Sequence, residues 1–142
     1  MKLKEIMTRS VVRIHPEETV AVAARMLTHY NIGVLPVCDD QGTLVGMVTD
    51  RDVVIRCVAP GHLPEKTPVK DVMSGRVVCA TPEMDTGVAA HLMGREQVRR
   101  LPIVEKGKLC GMVSIGDLAS MDETNYDAAE ALGEISANLL QK

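Results

Sequence analysis

Apolar and polar positions alternate along the chain in a pattern that changes period several times. Val11–Ile14 is a short β-branched run closed by Pro16. Glu17, Glu18 and Thr19 then put acidic residues and a cap ahead of an Ala-rich stretch, as a helix N-terminus requires. Along that stretch Val20, Ala23, Ala24, Leu27 and Tyr30 recur at helical spacing and predict one apolar face. Val34–Cys38 and Leu44–Val48 are apolar runs flanking Asp39–Thr43, a turn with Gly42, and predict a β-hairpin. Asp50–Val58 predicts a helix that stops before Ala59-Pro60-Gly61. The predicted order is β-α-β-β-α. It recurs with a strand at 77–80, a helix at 84–96, a hairpin at 100–114 and a helix at 115–121.

The recurrence is also one of letters. Sliding the sequence on itself sets Met7 on Met73, VVRIHPE (11–17) on VVCATPE (77–83), Ala23-Ala24 on Ala89-Ala90 and Leu35-Pro36 on Leu101-Pro102. With one residue dropped from the turn, LVGMVTDRD (44–52) falls on LCGMVSIGD (109–117). Two copies in register predict a pseudo-twofold pair of units; a solenoid needs more copies.

The repeats divide the chain into residues 1–59, 60–68, 69–121 and 122–142: first repeat with its lead-in, linker, second repeat, and helical extension. The linker Pro60–Pro68 holds three prolines and a glycine. Each repeat follows a short amphipathic lead-in, Leu3–Met7 and Val69–Met73. In the extension Tyr126, Ala129, Leu132, Ile135 and Leu139 form a helical stripe that either closes the fold or covers a partner.

Composition narrows the chemistry. Among 142 residues there are two Tyr, no Phe and no Trp, so any planar ligand is gripped by aliphatic groups. A net charge of −3 lacks the basic face that nucleic acids need, and base stacking lacks rings. No secretory h-region and no membrane-length apolar run is present, which predicts a cytoplasmic protein with no membrane partner. The scattered Cys38, Cys57, Cys79 and Cys110 match no zinc spacing, although Cys57 with His62 is the pair a metal would recruit. No nucleophile elbow, HExxH or P-loop appears, and His15, His29, His62 and His91 stand apart, so catalysis is not expected.

The repeated ending sets a hydroxyl and a carboxylate three residues apart, Thr49 with Asp52 and Ser114 with Asp117. One reading is a capping box at a helix start. Another uses the same groups for a nucleotide. Helix-terminal amides and a hydroxyl donate to phosphate, and a carboxylate accepts from the two hydroxyls of a ribose. Gly46 and Gly111 allow close backbone approach, and Arg51 adds a positive charge where the second repeat has Gly116.

At these residues the repeat resembles the CBS domain: a lead-in ending in Met, a V-V-x-x-x-P start, Leu-Pro before an apolar strand, and a G-Φ-V-[TS]-x-x-D ending, where Φ is apolar. Two copies resemble a CBS pair, or Bateman module, in a stand-alone protein. The resemblance implies an α/β fold of two repeats packed about a pseudo-twofold axis, with clefts for AMP, ADP, ATP or S-adenosylmethionine as a regulatory ligand. It assigns phosphate and ribose to Thr49 with Asp52 and to Ser114 with Asp117. It assigns adenine to Val12, Val34 and Pro36, or to Val78, Arg100 and Pro102. Arg99 and Arg100 match a basic pair that reaches a phosphate held by the other repeat, so positive charge from Arg51, Arg99 and Arg100 is expected at the Thr49–Asp52 cleft. A homodimer and an unidentified regulated protein are the expected partners. The rival readings are a structural dimerisation module with empty clefts and a cysteine-based redox or metal sensor.

Overall fold

The computed structural model describes residues 1–140, with side chains as far as Ala137. The chain divides into two units, one of Val12–Val77 with Gly107–Leu109, the other of Met1–Val11, Val78–Lys106 and Cys110–Lys142.

In the first-repeat unit helix α1 (Val20–Tyr30) starts at Thr19, whose extended backbone lets its Oγ1 accept from the Val22 N–H at 3.3 Å. It ends at Asn31 in the left-handed conformation, φ 53°. Val20, Ala23 and Leu27 are buried as the spacing predicts, while Tyr30, in the last turn, is 49% exposed. Strands β1 (Val34–Cys38) and β2 (Leu44–Thr49) form the antiparallel hairpin, pairing Val34 with Thr49 and Pro36 with Met47. The predicted final helix begins as α2 (Asp50–Asp52) and then widens into a π-helix over Val53–Val58, with Ala59 N–H donating to Val54 O at 2.8 Å. That widening is invisible in the periodicity. It buries Cys57 and leaves Val54, Ile55 and Val58 exposed.

The second-repeat unit repeats this plan in α3 (Thr86–Glu96), β3 (Arg100–Glu105), β4 (Lys108–Ser114) and α4 (Ile115–Ala119). Asp85 caps α3 through Gly87 N–H at 2.8 Å. A last helix, α5 (Asn125–Leu140), packs on α3 and α4. It buries Ala128, Ala131 and Ile135; of the predicted stripe only Ile135 is buried among the described side chains, since Tyr126 is 77% exposed, Ala129 and Leu132 are exposed, and the side chain of Leu139 lies outside the described residues. The reason is Gly94 on α3, where an added Cβ would stand 3.2 Å from Ala131 Cβ. Two small residues facing each other draw the helices together along the alanine face.

The predicted first strand of each repeat shrinks to a single bridging residue, Ile14 beside Val37 and Ala80 beside Ile103. Ile14 N–H donates to Pro36 O at 3.0 Å and Ile14 O accepts from Cys38 N–H at 2.9 Å. The next rung toward the N-terminus would need an N–H on Pro36 to reach Val12 O, and proline has none. Pro102 stops the ladder at Ala80 in the same way.

Each lead-in docks on the repeat that it does not precede. Leu3 N–H donates to Met84 O, Lys4 N–H to Pro82 O and Thr86 N–H to Met1 O; Thr8 and Met112 exchange both bonds. The other lead-in mirrors this: Val69 N–H to Glu18 O, Lys70 N–H to Pro16 O, Val20 N–H to Thr67 O, and Ser74 with Met47. Lys2 and Lys4 both reach Glu83 (2.6 and 2.8 Å), as Lys70 reaches Glu17 at 2.8 Å. Hydrogen bonds from the two lysines bring the Glu83 carboxyl down from 4.5 to about 2. A carboxyl lowered by folding stabilises fully above its unfolded value, and that part is lost as pH falls from 4.5 toward 2. Glu83→Gln should therefore lower the urea midpoint at neutral pH, and the gap from the parent should close across that window.

Candidate functional site

The Thr49 block sits where β2 turns into α2, and its capping box is closed. Asp52 N–H donates to Thr49 Oγ1 and Thr49 N–H to Asp52 Oδ2, both at 3.0 Å. Ser114 and Asp117 repeat it at the start of α4, at 2.9 and 3.1 Å. The box does not exhaust the groups. A hydroxyl that accepts still has its own proton to donate. A carboxylate that gives one oxygen to the cap keeps the other, and Asp52 Oδ1 accepts no hydrogen bond among the described residues and has Arg56 Nε at 3.9 Å as its ion-pair partner. The Asp52 side chain is 17% exposed, largely enclosed yet reachable.

Hairpin geometry gathers the other first-repeat residues. Val34 is the register partner of Thr49, and Pro36 lies two places further along β1. Asp50 N–H donates to Gly33 O at 3.1 Å, tying the start of the hairpin to the helix start. The broken ladder leaves Val12 two residues before Ile14, and neither its N–H nor its C=O has a hydrogen-bond partner among the described residues. Thr49, Asp52, Val12, Val34 and Pro36 thus belong to one unit. Ser114, Asp117, Val78, Arg99, Arg100 and Pro102 belong to the other, where Ile115 N–H donates to Arg99 O at 2.8 Å and the Val78 backbone is likewise unpaired among the described residues. Arg51, Arg99 and Arg100 are exposed, and none makes an ion pair among the described residues.

Gly46 and Gly111 admit a close backbone approach, and what approaches is a lead-in. A Cβ on Gly46 would lie 2.8 Å from Ser74 O, and one on Gly111 3.1 Å from Thr8 O. Arg56 was not among the residues read from the sequence as part of the site. It stands four places after Asp52, a spacing that puts two side chains on one helical face, and its Nη1 donates to Val72 O and Met73 O at 3.3 and 3.1 Å. The thiols of Cys38, Cys79 and Cys110 are pushed up by burial, away from the reactive thiolate. No group of three His, Cys, Asp or Glu side chains is placed to hold a metal among the described residues.

Two like units, each a helix, a hairpin and a capped hydroxyl–carboxylate turn, define a tandem-repeat α/β protein. The chain belongs to the CBS-domain family: the CBS domain model matches residues 3–58 and 69–123. Pairs of this domain are regulatory modules. The CBS domain-containing protein YhcV of Bacillus subtilis is 42% identical over 134 residues, covering 94% of each chain. The crystal structure of Hypoxic Response Protein I with two coordinated zinc ions matches with a TM-score of 0.77 at 30% identity, over 84% of this chain and 97% of that one. Another CBS domain pair, crystallised with 5′-methylthioadenosine and S-adenosyl-L-methionine, matches with a TM-score of 0.73 over 84% of this chain and 93% of that one; at 24% identity the likeness is one of fold.

Proposed function

We propose that this CBS pair is a sensor that binds an adenosine-containing ligand, AMP, ADP, ATP or S-adenosylmethionine, at its hydroxyl–carboxylate blocks. The observation that carries the reading is the unpaired backbone edge at Val12 and Val78, left open by Pro36 and Pro102. An adenine edge offers an amino donor and a ring-nitrogen acceptor, which match one C=O and one N–H. Within the same unit, the spare oxygen of Asp52 suits a ribose diol and the Thr49 hydroxyl suits a phosphate. Arg51 favours the more anionic ligands at the first block, while the Ser114–Asp117 block, with Gly116 in that place, suits less charged ones. Regulation then follows from a ligand that prefers one arrangement of the protein over another. Four free cysteines fit a reducing compartment, and we place the protein in the cytoplasm.

Isothermal titration of the four ligands into the parent, Asp52→Ala and Asp117→Ala proteins tests this. Loss of a charge-assisted hydrogen bond should weaken binding by about tenfold or more at the altered block. Unchanged affinity in both variants would return the blocks to capping alone.

The exposed apolar side chains of the widened helix favour self-association as well. Val54, Ile55 and Val58 are 57%, 46% and 56% exposed within the first-repeat unit. A homodimer that covers them should dissociate in a Val54→Asp/Val58→Asp variant, read as a halved mass by light scattering. An unchanged mass would place the dimer contact elsewhere.

A further inference from the structure

We infer that the linker builds a second anion site in the first-repeat unit, separate from the Thr49–Asp52 block, and that it takes a phosphate or pyrophosphate group. A cavity of about 250 Å³ is lined by Arg56, His62, Lys66, Thr67, Asp71 and Val72. A water takes about 30 Å³ in the liquid, so the space holds several waters and an inorganic anion can replace them.

The backbone of this cavity is set without using its charges. His62 N–H donates to Cys57 O at 2.9 Å, Lys66 N–H to Leu63 O at 3.0 Å and Asp71 N–H to Pro68 O at 3.0 Å. The Thr67 hydroxyl is consumed on Leu63 O at 2.8 Å, and Arg56 uses Nη1 on the carbonyls of Val72 and Met73. What remains unspent lies on Lys66 and His62, while Arg56 also approaches Asp52 Oδ1 at 3.9 Å. Lys66 Nζ and the His62 ring have no partner among the described residues. That sets Lys66 apart from Lys2, Lys4 and Lys70, which all reach a carboxylate. Two permanent cations and an imidazole line the cavity with one carboxylate, Asp71, and Asp52 approaches Arg56 from outside the lining at 3.9 Å. A multiply charged oxyanion makes use of the excess, and the forked guanidinium of Arg56 has donors left for it.

The second repeat has no equivalent. The linker is unrepeated, and the position of Arg56 in the aligned block, four residues after the carboxylate, is taken by Met121. The site is thus a property of one repeat and stands or falls apart from adenosine binding.

Inorganic pyrophosphate titrated into the ¹⁵N-labelled protein tests the inference. Saturating amide shifts should centre on residues 62–72. Lys66→Gln should weaken the affinity about tenfold, Lys66→Arg should keep it, and Arg25→Gln, an equal charge change on exposed α1, should leave it alone. Lys66 and Arg25 are both exposed, and circular dichroism checks that each variant is folded. Thr49→Ala, which alters the block's hydroxyl and makes no contact with Arg56, separates the two sources of phosphate: retained pyrophosphate binding marks an independent anion site. Pyrophosphate shifts centred on Thr49–Asp52, equal affinity in Lys66→Gln, or binding of ATP without binding of pyrophosphate would each overturn it.

Discussion

Removal of residues 1–8 is expected to collapse the second-repeat unit, although those residues stand before the first repeat. Leu3 is fully buried and Met7 is 8% exposed, in one cluster with Met93, Leu101, Ile103, Val113 and Leu118. Truncating one such Leu to Ala costs about 3 kcal/mol. The deletion takes both side chains and also leaves the carbonyls of Pro82, Met84 and Met112 and the N–H groups of Thr86 and Met112 without their partners. Several kcal/mol is a large part of the roughly 5–15 kcal/mol that holds a domain together. Hydrogen exchange should show protection lost across Leu101–Val113 and kept across Leu35–Val48. Leu3→Ala alone should lower unfolding stability in urea by about 3 kcal/mol. Loss confined to the first hairpin instead would refute the exchanged docking of the lead-ins.

Gly46→Ala is expected to be the more damaging of two matched glycine substitutions, by about 2–3 kcal/mol where overpacking cannot relax. Its new methyl would stand 2.6 Å from Met73 Sδ and 2.8 Å from Ser74 O. A thioether can swing aside. The carbonyl cannot do so cheaply, because Ser74 is bonded to Met47 through both its N–H (2.9 Å) and its C=O (3.0 Å). At Gly111 the nearest atom is the mobile sulfur of Met7 at 2.5 Å, while the Thr8 carbonyl stands further off at 3.1 Å. Urea unfolding of the two variants should rank them accordingly. Equal costs would mean that the sulfur, and not the backbone, sets the penalty.

Much of the architecture was legible in the chain. The helices at Val20 and Thr86, both hairpins and both capped blocks follow from period, caps and turn residues, all of which are local. The parts that did not show depend on pairs of distant residues. A run such as Val11–Ile14 has the composition of a strand, yet its neighbour carries Pro36, and the missing N–H limits pairing to one residue. The stripe Tyr126–Leu139 has good helical spacing, but a glycine on α3, more than thirty residues upstream, selects the alanine face. Val53–Val58 contains no marker of a π-helix. Each lead-in is plainly amphipathic, but amphipathicity names no partner. In the candidate site, the hydroxyls and carboxylates stood out because they recur. The unpaired Val12 edge followed only once the ladder was seen to stop, and Arg56 was hidden because its counterpart is Met121.

The docking of each lead-in on the other repeat makes the chain an interlaced object. A protease that nicked the Pro60–Pro68 stretch would leave two fragments, each carrying the clasp that fastens its counterpart. Neither half could be inherited, expressed or discarded alone without taking away a piece of its twin.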